Sequence, residues 1–374
     1  MQTWANQTFE KLVSKFTRSA ALAAEQDLIP YRSENGRWVG SPFDGNGWWT
    51  SGFWPGLMLL LYADTKDERF LTEARRAEAL LTGELTIFNA LSHDMGFMYL
   101  LSAGVDCKLT GDAAARRDTL HAATLLAGRF NPAGGFLRAW NGDRYGWAII
   151  DCMMNLPLLY RASRDTGDPR FTQIARIHAD TTLRAFVRPD GSCNHIVILD
   201  PVTGQVLEKP AGQGYAVGSS WSRGQAWALY GFTLSHRWTG DPRYLEAACG
   251  IADYFIANIR ADGLTDCDFR QPAEPEKLDN IAGACAACGL LELAKAAPEE
   301  KKAARYQTEA VRMLRALDTL CADWSDASPG VLQKCTAAYH DNNGAGTHVN
   351  ILYGDYFFTE AVAKLRGSDP MFWG

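Results

Sequence analysis

The stretch GSSWSRGQAWALYGF at residues 218–232 has the pattern of a buried helix. Serines precede its apolar run, and a serine hydroxyl is a common acceptor for the free N–H groups of a first helical turn. Gly224, Ala228 and Gly231 recur on one face, where they leave room for a neighbouring helix to approach closely. We therefore expect a helix that opens on a serine cap and packs on its neighbours through this small-residue face.

Five further segments repeat this pattern of a polar or aromatic opening followed by an apolar helix. They cover residues 49–65, 94–112, 148–168, 280–300 and 349–367. Thr-Gly-Asp sequences at 110–112, 166–168 and 239–241 separate such helices from charged segments. Glycine ends a helix, aspartate caps the next one, and a following proline fits its first turn. The sequence therefore predicts apolar helices that alternate with amphipathic ones.

This alternation is typical of stacked helical hairpins, because one hairpin cannot bury its apolar face alone. Six apolar helices pair with an N-terminal amphipathic helix at residues 4–24 and with the charged helices that follow the first five. The irregular spacing of the pairs is unlike the fixed period of about 34 residues in a tetratricopeptide array. We therefore expect an all-α fold, an (α/α)6 barrel formed as a single domain by residues 1–374.

The composition excludes several classes of partner. The chain has 37 Lys and Arg against 43 Asp and Glu, a net charge of -6, whereas nucleic-acid binding requires clustered cations. No apolar run approaches the ~20 residues needed to cross a bilayer, and the first residues lack a basic segment followed by an apolar one. We expect a cytoplasmic protein that binds neither nucleic acid nor membranes.

The nine cysteines favour free thiols, because their number is odd and most lie in apolar helical patterns. The Cys285-Ala-Ala-Cys288 sequence is open to a redox or zinc interpretation, but its small-residue surroundings favour a packed inner helix. No second Cys or His pair lies at zinc-ligand spacing. We therefore expect no metal and no cofactor.

Long connections at residues 131–145, 187–218 and 262–279 each precede an inner helix, so they are expected to gather at one rim of the barrel. Residues 192–204 predict a short β-hairpin there. Tryptophans 48, 49 and 54 surround the opening of the first apolar helix and suggest a platform for a sugar. Function is therefore expected at this rim.

Two aspartates occupy the same place in the repeat, at the openings of the second and third apolar helices. Asp151 lies among apolar neighbours, which suits a proton donor, and Asp94 follows His93. Either aspartate is equally well suited to cap a helix. Four further residues could either contact the substrate or pack in the rim or core: His195, Gln213, Arg223 and Trp227. Core packing is favoured for Trp227.

Five motifs, taken together and in order, resemble the unsaturated glucuronyl hydrolases, glycoside hydrolase family 88. They are WTSGF at 49–53, HDMGF at 93–97, IDCMMN at 150–155, SWSRGQAW at 220–227 and YGDYFF at 353–358. The resemblance covers nearly the whole chain, although related unsaturated rhamnogalacturonyl hydrolases share a version of the Arg-Gly-Gln helix. It implies release of a 4,5-unsaturated uronic acid from the non-reducing end of oligosaccharides left by polysaccharide lyases.

The resemblance also implies roles for individual residues. Asp151 matches the general acid and base, which protonates C4 before water adds at C5, and Asp94 matches a second essential aspartate. Six positions match residues that contact the substrate: Trp49, His93, His195, Gln213, Arg223 and Trp227. Aromatic faces would stack on the sugar, and Arg223 would offset the charge of the uronate.

One departure from the family concerns sulfate. Members that act on sulfated glycosaminoglycan fragments carry a segment with Ser and Lys before the last helix. This chain has YHDNNGAG at 339–346 instead, without lysine. The departure predicts a substrate without sulfate.

Three alternatives remain at this stage. An unsaturated rhamnogalacturonyl hydrolase would perform the same chemistry on pectin fragments. A helical toroid could bind sugar without turnover, although an aspartate in its cavity argues against that. An N-acyl sugar 2-epimerase shares the toroid but transfers protons through histidines, of which this chain has seven. We expect a monomer or a weak homo-oligomer.

Overall fold

A computed structural model describes residues 2–42, 45–341, 344–368 and 372–374. Within these residues, twelve α-helices form two concentric layers. The outer layer consists of α1 (Gln2–Gln26), α3 (Glu68–Thr82), α5 (Ala113–Ala127), α7 (Arg170–Ala185), α9 (Pro242–Asn258) and α11 (Glu300–Leu320). The inner layer consists of α2 (Phe53–Thr65), α4 (Val105–Thr110), α6 (Leu156–Thr166), α8 (Ser222–Thr239), α10 (Asn280–Ala296) and α12 (Leu352–Leu365).

The inner layer is a closed ring. Each inner element contacts the next along the chain, and α12 contacts α2. Two inner helices have irregular openings, since a π-helical segment, Gly96–Gly104, leads into α4 and a 3₁₀ turn, Ile150–Met154, precedes α6. The ring confirms the predicted (α/α)6 architecture.

Hydrophobic patterning explains why the helices divide into two layers. In α2 every residue from 53 to 61 is buried, because one side of the helix meets the barrel centre and the other meets the outer layer. In α3 the buried apolar residues recur every three or four positions and form a single stripe. Full burial of one leucine side chain stabilises the fold by roughly 1.5–3 kcal/mol, so the inner ring supplies a large part of the core energy.

The junctions between layers have the predicted Thr-Gly-Asp geometry. Gly111, Gly167 and Gly240 end inner helices in the left-handed region, with φ of 77°, 75° and 69°. The side chains of the aspartates that follow accept hydrogen bonds from the next first turn: Asp112 from the Ala115 N–H at 2.8 Å and Asp241 from the Arg243 N–H at 3.1 Å. These breaks are therefore encoded locally.

The predicted serine cap of α8 is wrong. Trp221 occupies the cap position, and no side chain caps the first turn. The Ser222 hydroxyl instead donates to the Cys267 carbonyl at 3.0 Å, because the 262–279 connection passes beside this helix end. The small-residue face is confirmed, since a Cβ on Gly231 would collide with Met153.

Short strands cover one rim of the barrel. They are β1 (Arg32–Glu34), β2 (Arg37–Val39), β3 (Phe130–Asn131), β4 (Phe136–Leu137), β5 (Trp147–Ile149), β6 (Ile196–Leu199) and β7 (Val206–Glu208). The predicted hairpin is confirmed as the antiparallel pair β6 and β7, and β5 joins it as a third strand. The β5–β6 pairing places the start of the third inner element beside the long connection before α8.

Candidate active site

A cavity of about 430 Å³ lies at this rim. Five of the eight predicted site residues line it: Trp49, His93, Asp94, Asp151 and Gln213. The described lining includes two carboxylates but neither lysine nor arginine. The cavity is therefore acidic and aromatic, with its cationic groups set further back.

Asp94 enters the cavity from the opening of the π-helical segment. Its backbone carbonyl accepts the Met98 N–H at 3.0 Å, and its Oδ2 accepts the Ser92 hydroxyl at 2.6 Å. The His93 Nε2 lies 3.4 Å from the Asp94 Oδ1. Burial raises the pKa of Asp94 and lowers the pKa of His93, because each charged form loses hydration in the cavity wall.

Asp151 enters the cavity from the 3₁₀ turn before α6. Its Oδ1 lies 3.5 Å from the His195 Nε2. The other ring nitrogen of His195, Nδ1, accepts the Gln213 N–H at 2.9 Å. A neutral His195 therefore carries its proton on Nε2, the nitrogen that faces Asp151.

These positions do not support the capping interpretation of the two aspartates, whereas their catalytic role remains a prediction. Met95 and Ile149 hold the cap positions of the two openings, and no side chain of the described residues caps either one. The Asp151 Oδ1, the His195 Nε2 and the His93 Nδ1 are buried and have no hydrogen-bond partner among the described residues. Such buried, unpaired polar atoms mark a site prepared for another molecule.

Asn155 joins the two aspartate-bearing turns. Its side-chain oxygen accepts the Phe97 N–H at 2.8 Å, and its side-chain nitrogen donates to the Asp151 carbonyl at 3.4 Å. Gly96 permits this approach, since an added Cβ would lie 2.5 Å from the Asn155 Cα. One buried amide therefore links the two segments that carry the carboxylates.

Arg223 lies behind the cavity wall. Its Nη1 donates to the Asp279 Oδ2 at 2.5 Å and to the Thr336 carbonyl at 2.7 Å, while Nη2 donates to the Ala337 carbonyl at 2.5 Å. The guanidinium carbon lies 5.5 Å from the ring of Tyr353, which does line the cavity. The sequence did not reveal that Arg223 is bound by the protein itself.

Trp227 also lies outside the lining. Its ring is fully buried and packs at 5.2 Å from Phe97 and 5.4 Å from Phe357. Phe97 in turn contacts Trp49 at 5.6 Å, so Trp227 supports the aromatic wall from beneath. This arrangement agrees with the core-packing interpretation of Trp227, whereas direct contact with a sugar remains a prediction.

Several lining residues were missed by the sequence analysis. Trp140 and Asn141 lie in the long rim connection at 131–145, and Tyr353 begins the YGDYFF motif at 353–358. The connection and the motif could therefore have indicated these residues. Tyr31 comes from the turn before β1 and gave no signal. The full set of missed residues is Tyr31, Gly47, Ala90, Ser92, Trp140, Asn141, Ile149, Ala337 and Tyr353, whereas Trp48 belongs to the predicted sugar platform.

The segment at 339–346 reaches the cavity through Gln213, whose carbonyl accepts the Tyr339 N–H at 2.9 Å. The predicted absence of sulfate recognition depends partly on Asn342 and Asn343, which lie outside the described residues. Across the described ranges, no three His, Cys, Asp or Glu side chains are arranged to hold a metal ion. No helix among these residues has the length and apolarity required to span a bilayer.

The Cys285 and Cys288 side chains are structural. Both are fully buried within α10, and the Cys288 thiol donates to the Phe357 carbonyl of α12 at 3.2 Å. Burial raises the pKa of both thiols, which suppresses the reactive thiolate. The packed-helix interpretation of this sequence is confirmed.

Comparison with known proteins gives a consistent result. The unsaturated glucuronyl hydrolase of Bacillus sp. (strain GL1) is 37% identical over 333 residues, which cover 87% of this chain and 88% of that protein. The unsaturated chondroitin disaccharide hydrolase of Streptococcus pneumoniae (strain ATCC BAA-255 / R6) is 32% identical over 342 residues, covering 89% and 85% of the two chains. No family model matches the chain.

Solved structures agree over the whole fold. The crystal structure of the unsaturated glucuronyl hydrolase from Bacillus sp. GL1 superposes with a TM-score of 0.90 at 33% identity, covering 100% of this chain and 99% of that one. A variant of the enzyme from Streptococcus agalactiae, complexed with dGlcA-GalNAc6S, superposes with a TM-score of 0.81 at 28% identity, covering 96% and 91%. Sequence, fold and cavity therefore lead to one assignment: this chain belongs to the unsaturated glucuronyl hydrolase family.

Proposed function

We propose that this enzyme releases the 4,5-unsaturated uronic acid from the non-reducing end of lyase-generated oligosaccharides. The observation that carries the proposal is the pair of buried carboxylates, Asp94 and Asp151, which face one cavity and have a histidine beside each. Both relatives compared above are named as hydrolases of unsaturated glucuronides or chondroitin disaccharides. Hydration of a vinyl ether requires a group that both gives and takes a proton, and we propose Asp151 for that role.

The reaction begins at the double bond rather than at the glycosidic bond. Asp151 in its acid form gives its proton to C4, and the electron pair of the C4–C5 double bond forms the new C–H bond. The resulting positive charge at C5 is shared with the ring oxygen. The Asp151 carboxylate then takes a proton from the water that adds at C5, which restores the acid form.

Hydration at C5 produces a hemiketal, and the remaining steps need no displacement at C1. The C5–ring oxygen bond breaks, giving a ketone at C5 and a hemiacetal at C1. The hemiacetal then collapses to an aldehyde and releases the next sugar as an alcohol. An ordinary glycosidase instead uses two carboxylates to exchange bonds at C1.

We propose that Asp94 and His93 assist the reaction from the opening of the π-helical segment, on the cavity wall that they form. A carboxylate near C5 stabilises the developing oxocarbenium charge, and the Ser92 hydroxyl fixes the Asp94 side chain for that purpose. The His93 Nδ1 has no partner among the described residues, so it is available to a hydroxyl or carboxylate of the sugar. We assign Asp94 as the second catalytic carboxylate and His93 as a binding residue.

We propose that the sugar binds to the aromatic residues Trp49 and Tyr353 and to the part of the cavity that Gln213 lines. The Trp49 and Tyr353 rings lie 4.9 Å apart with their planes tilted by 56°, and these rings offer apolar faces to the C–H groups of a sugar. The Gln213 side chain donates to the Ala337 carbonyl at 2.7 Å, the same carbonyl that Arg223 holds. We propose that Arg223 acts on the substrate through this shared anchor, and that Trp227 acts through Phe97.

The direct test is a panel of unsaturated disaccharides derived from chondroitin, hyaluronan, gellan, ulvan and pectin. Turnover destroys the conjugated double bond, so ultraviolet absorbance falls. We expect loss of absorbance with the glucuronyl substrates and metal-independent rates that a chelator leaves unchanged. Turnover of the pectin disaccharide alone would instead identify an unsaturated rhamnogalacturonyl hydrolase, and no turnover with any substrate would indicate a sugar-binding toroid.

Isotopes test the site of water attack. Turnover in deuterium oxide is expected to place deuterium at C4 of the released keto acid, and heavy-oxygen water is expected to label C5, after correction for exchange of the ketone. A saturated glucuronide has no double bond to protonate and is expected to be inert. Cleavage of the saturated compound with label at C1 would overturn the mechanism.

We also propose that the enzyme is a cytoplasmic monomer or weak homo-oligomer. All nine cysteines are free thiols, and eight of them are buried, which fits a reducing compartment. Fractionation of the producing cell tests the location. Light scattering after size exclusion tests the oligomeric state.

A further inference from the structure

The rim connection that carries Trp140 also holds an arginine that no sequence motif singled out. The Arg144 guanidinium lies 5.3 Å from the Trp140 ring and 5.1 Å from the Trp147 ring. The two rings meet edge to face at 5.8 Å. The guanidinium is therefore held by two aromatic faces, each of which attracts a cation.

The backbone fixes this arrangement. The Trp147 N–H donates to the Arg144 carbonyl at 3.3 Å, and the Ala139 N–H donates to the Trp147 carbonyl at 2.8 Å. The connection thus folds back on itself and brings both tryptophans to one side. Arg144 is exposed, but the Trp140 and Trp147 rings already hold its guanidinium in place, so a ligand is not needed to position it.

Arg144 differs from the other cations around the cavity. The Arg138 guanidinium donates to the Gly142 carbonyl at 2.6 Å, and the Lys277 ammonium donates to the Tyr339 carbonyl at 2.5 Å. Arg223 is buried against Asp279. For the Arg144 side chain, no hydrogen bond or ion pair with any described residue is present, so its donors are free for an anion.

The position of Trp140 relates this cation to the substrate. Trp140 lines the cavity, and its ring lies 6.4 Å from the ring of His93, which is paired with Asp94. Arg144 is exposed and lies against the Trp140 ring without lining the cavity, whereas both carboxylates are buried and do line it. If the unsaturated uronate occupies the buried end, the sugar that leaves must extend towards the mouth.

We propose that Arg144 is a specificity-determining residue that binds an oxyanion, sulfate or carboxylate, on the sugar next to the unsaturated uronate. This inference rests on the proposed function. The described cavity lining supplies two carboxylates and no lysine or arginine, so an anionic leaving sugar needs a cation at the mouth. A guanidinium suits this role because its fork of donors matches two oxygens of sulfate or carboxylate.

The assignment changes the expectation about sulfate. The segment before α12 has no lysine at 339–346, so it lacks the cation that is implied for family members acting on sulfated fragments. Arg144 provides another cation from a different connection. We therefore expect charged leaving sugars to be accepted through this residue.

The test compares three unsaturated disaccharides whose second sugar is neutral, carries a 6-sulfate or carries a carboxylate. For the parent enzyme we expect higher kcat/KM with at least one charged substrate, and a preference that weakens with salt. Arg144→Gln is expected to lower kcat/KM for that substrate about tenfold, as for loss of one charge-assisted hydrogen bond, and to change the neutral one less than twofold. The preferred oxyanion identifies which of the two groups Arg144 takes.

The matched control is Arg315→Gln. The Arg315 guanidinium also lies over a tryptophan, 5.7 Å from the Trp4 ring, but on the outer layer. This variant is expected to leave all three substrates unchanged. An equal loss for neutral and charged substrates in Arg144→Gln, or no loss at all, would overturn the assignment.

Calorimetry separates this inference from the proposed reaction. The Asp151→Asn variant is titrated with each disaccharide, alone and combined with Arg144→Gln, so that binding is measured without turnover. Weaker binding of only the charged disaccharide in the double variant supports Arg144. Binding that is unaffected by Arg144→Gln contradicts the Arg144 assignment alone, whereas no binding of any disaccharide contradicts the proposed function as well.

Discussion

Two buried polar clusters lie at the openings of the inner helices, and they differ in how fully their atoms are bonded. The first, the carboxylate cluster, consists of His93, Asp94, Asp151 and His195. The second, the ion-pair cluster, is built on Arg223 and Asp279. Both are almost completely removed from solvent, so burial alone does not distinguish them.

In the ion-pair cluster the protein satisfies the carboxylate itself. The Asp279 Oδ2 accepts Arg223, and Oδ1 accepts the N–H groups of Ile281 at 3.3 Å and Thr336 at 3.4 Å. Burial still raises the pKa of Asp279, although Arg223 opposes the shift. The cluster therefore joins the openings of α8 and α10 to the segment before α12.

In the carboxylate cluster three atoms lack partners among the described residues, and two of the residues that carry them, His93 and Asp151, line the cavity, while His195 lies beside Asp151. A buried polar atom without a partner costs roughly 1–3 kcal/mol of stability. The unpaired atoms of the carboxylate cluster therefore destabilise the fold, whereas the bonded Asp279 carboxylate does not. We propose that these unsatisfied atoms mark the reacting site. The bonded Asp279 carboxylate belongs to the frame that holds this site, although the Arg223 Nε also has no partner among the described residues, and four substitutions test the distinction between the two carboxylates.

The largest effect is expected for Asp151→Asn. The amide keeps the volume of the side chain but has no acid proton to give, so kcat/KM is expected to fall by about 10²–10⁴. The urea unfolding midpoint is expected to stay close to that of the parent enzyme. A nearly normal rate would move the acid and base role to Asp94.

Asp279→Asn is expected to act mainly on stability. It leaves the buried guanidinium of Arg223 without its counter-ion, which costs roughly 3–5 kcal/mol in the free energy of unfolding. Urea denaturation measures this loss. The paired variant Arg223→Met with Asp279→Leu should recover much of it, and failure to recover would show that the charge imbalance is not the cause.

Asn155→Ala is expected to affect both properties moderately. It leaves the Phe97 N–H unpaired, which costs about 1–3 kcal/mol, and it loosens the spacing of the two carboxylates, so kcat falls more than KM changes. Asn350→Ala is the matched control, because this buried amide bonds the Leu332 carbonyl and Asp355 instead. A normal kcat in the Asn155 variant, despite a similar loss of stability, would refute the positioning role.

The smallest effect concerns Asp94→Asn and stability. The folded state raises the carboxyl pKa above its ordinary 3.8, so the cost of burying the charge is fully present above the folded pKa and absent below the unfolded one. The variant is therefore expected to unfold at higher urea than the parent at pH 7. The difference should shrink as pH falls through the raised folded pKa and vanish below the unfolded pKa of 3.8, and a difference that is independent of pH would contradict this account.

Much of the fold was readable because its rules are local. The Thr-Gly-Asp breaks were predicted correctly since glycine at 111, 167 and 240 and the aspartates after them act within a few residues. The apolar runs also separated inner from outer helices correctly. The equivalent repeat positions of Asp94 and Asp151 predicted that both would reach one cavity, and they do.

The remaining features depended on contacts between distant parts of the chain. The serine cap of α8 failed because Ser222 meets Cys267 from a separate connection. Arg223 was expected at the sugar, but its partners come from residues 279, 336 and 337. Sequence periodicity carries no information about such pairs.

By itself, the sequence determined the helical ring, the family and the residues that could carry a proton, because periodicity, helix stops and motif order are properties of short segments. Only the tertiary structure decided which buried groups are satisfied and which remain free. Asp279 gains Arg223, whereas within the described ranges the Asp151 carboxylate has only a histidine nearby, at 3.5 Å, whose tautomer is fixed by the backbone of Gln213. The reason is that hydrogen bonding in a buried site depends on where separate segments meet, which is settled only when the ring closes.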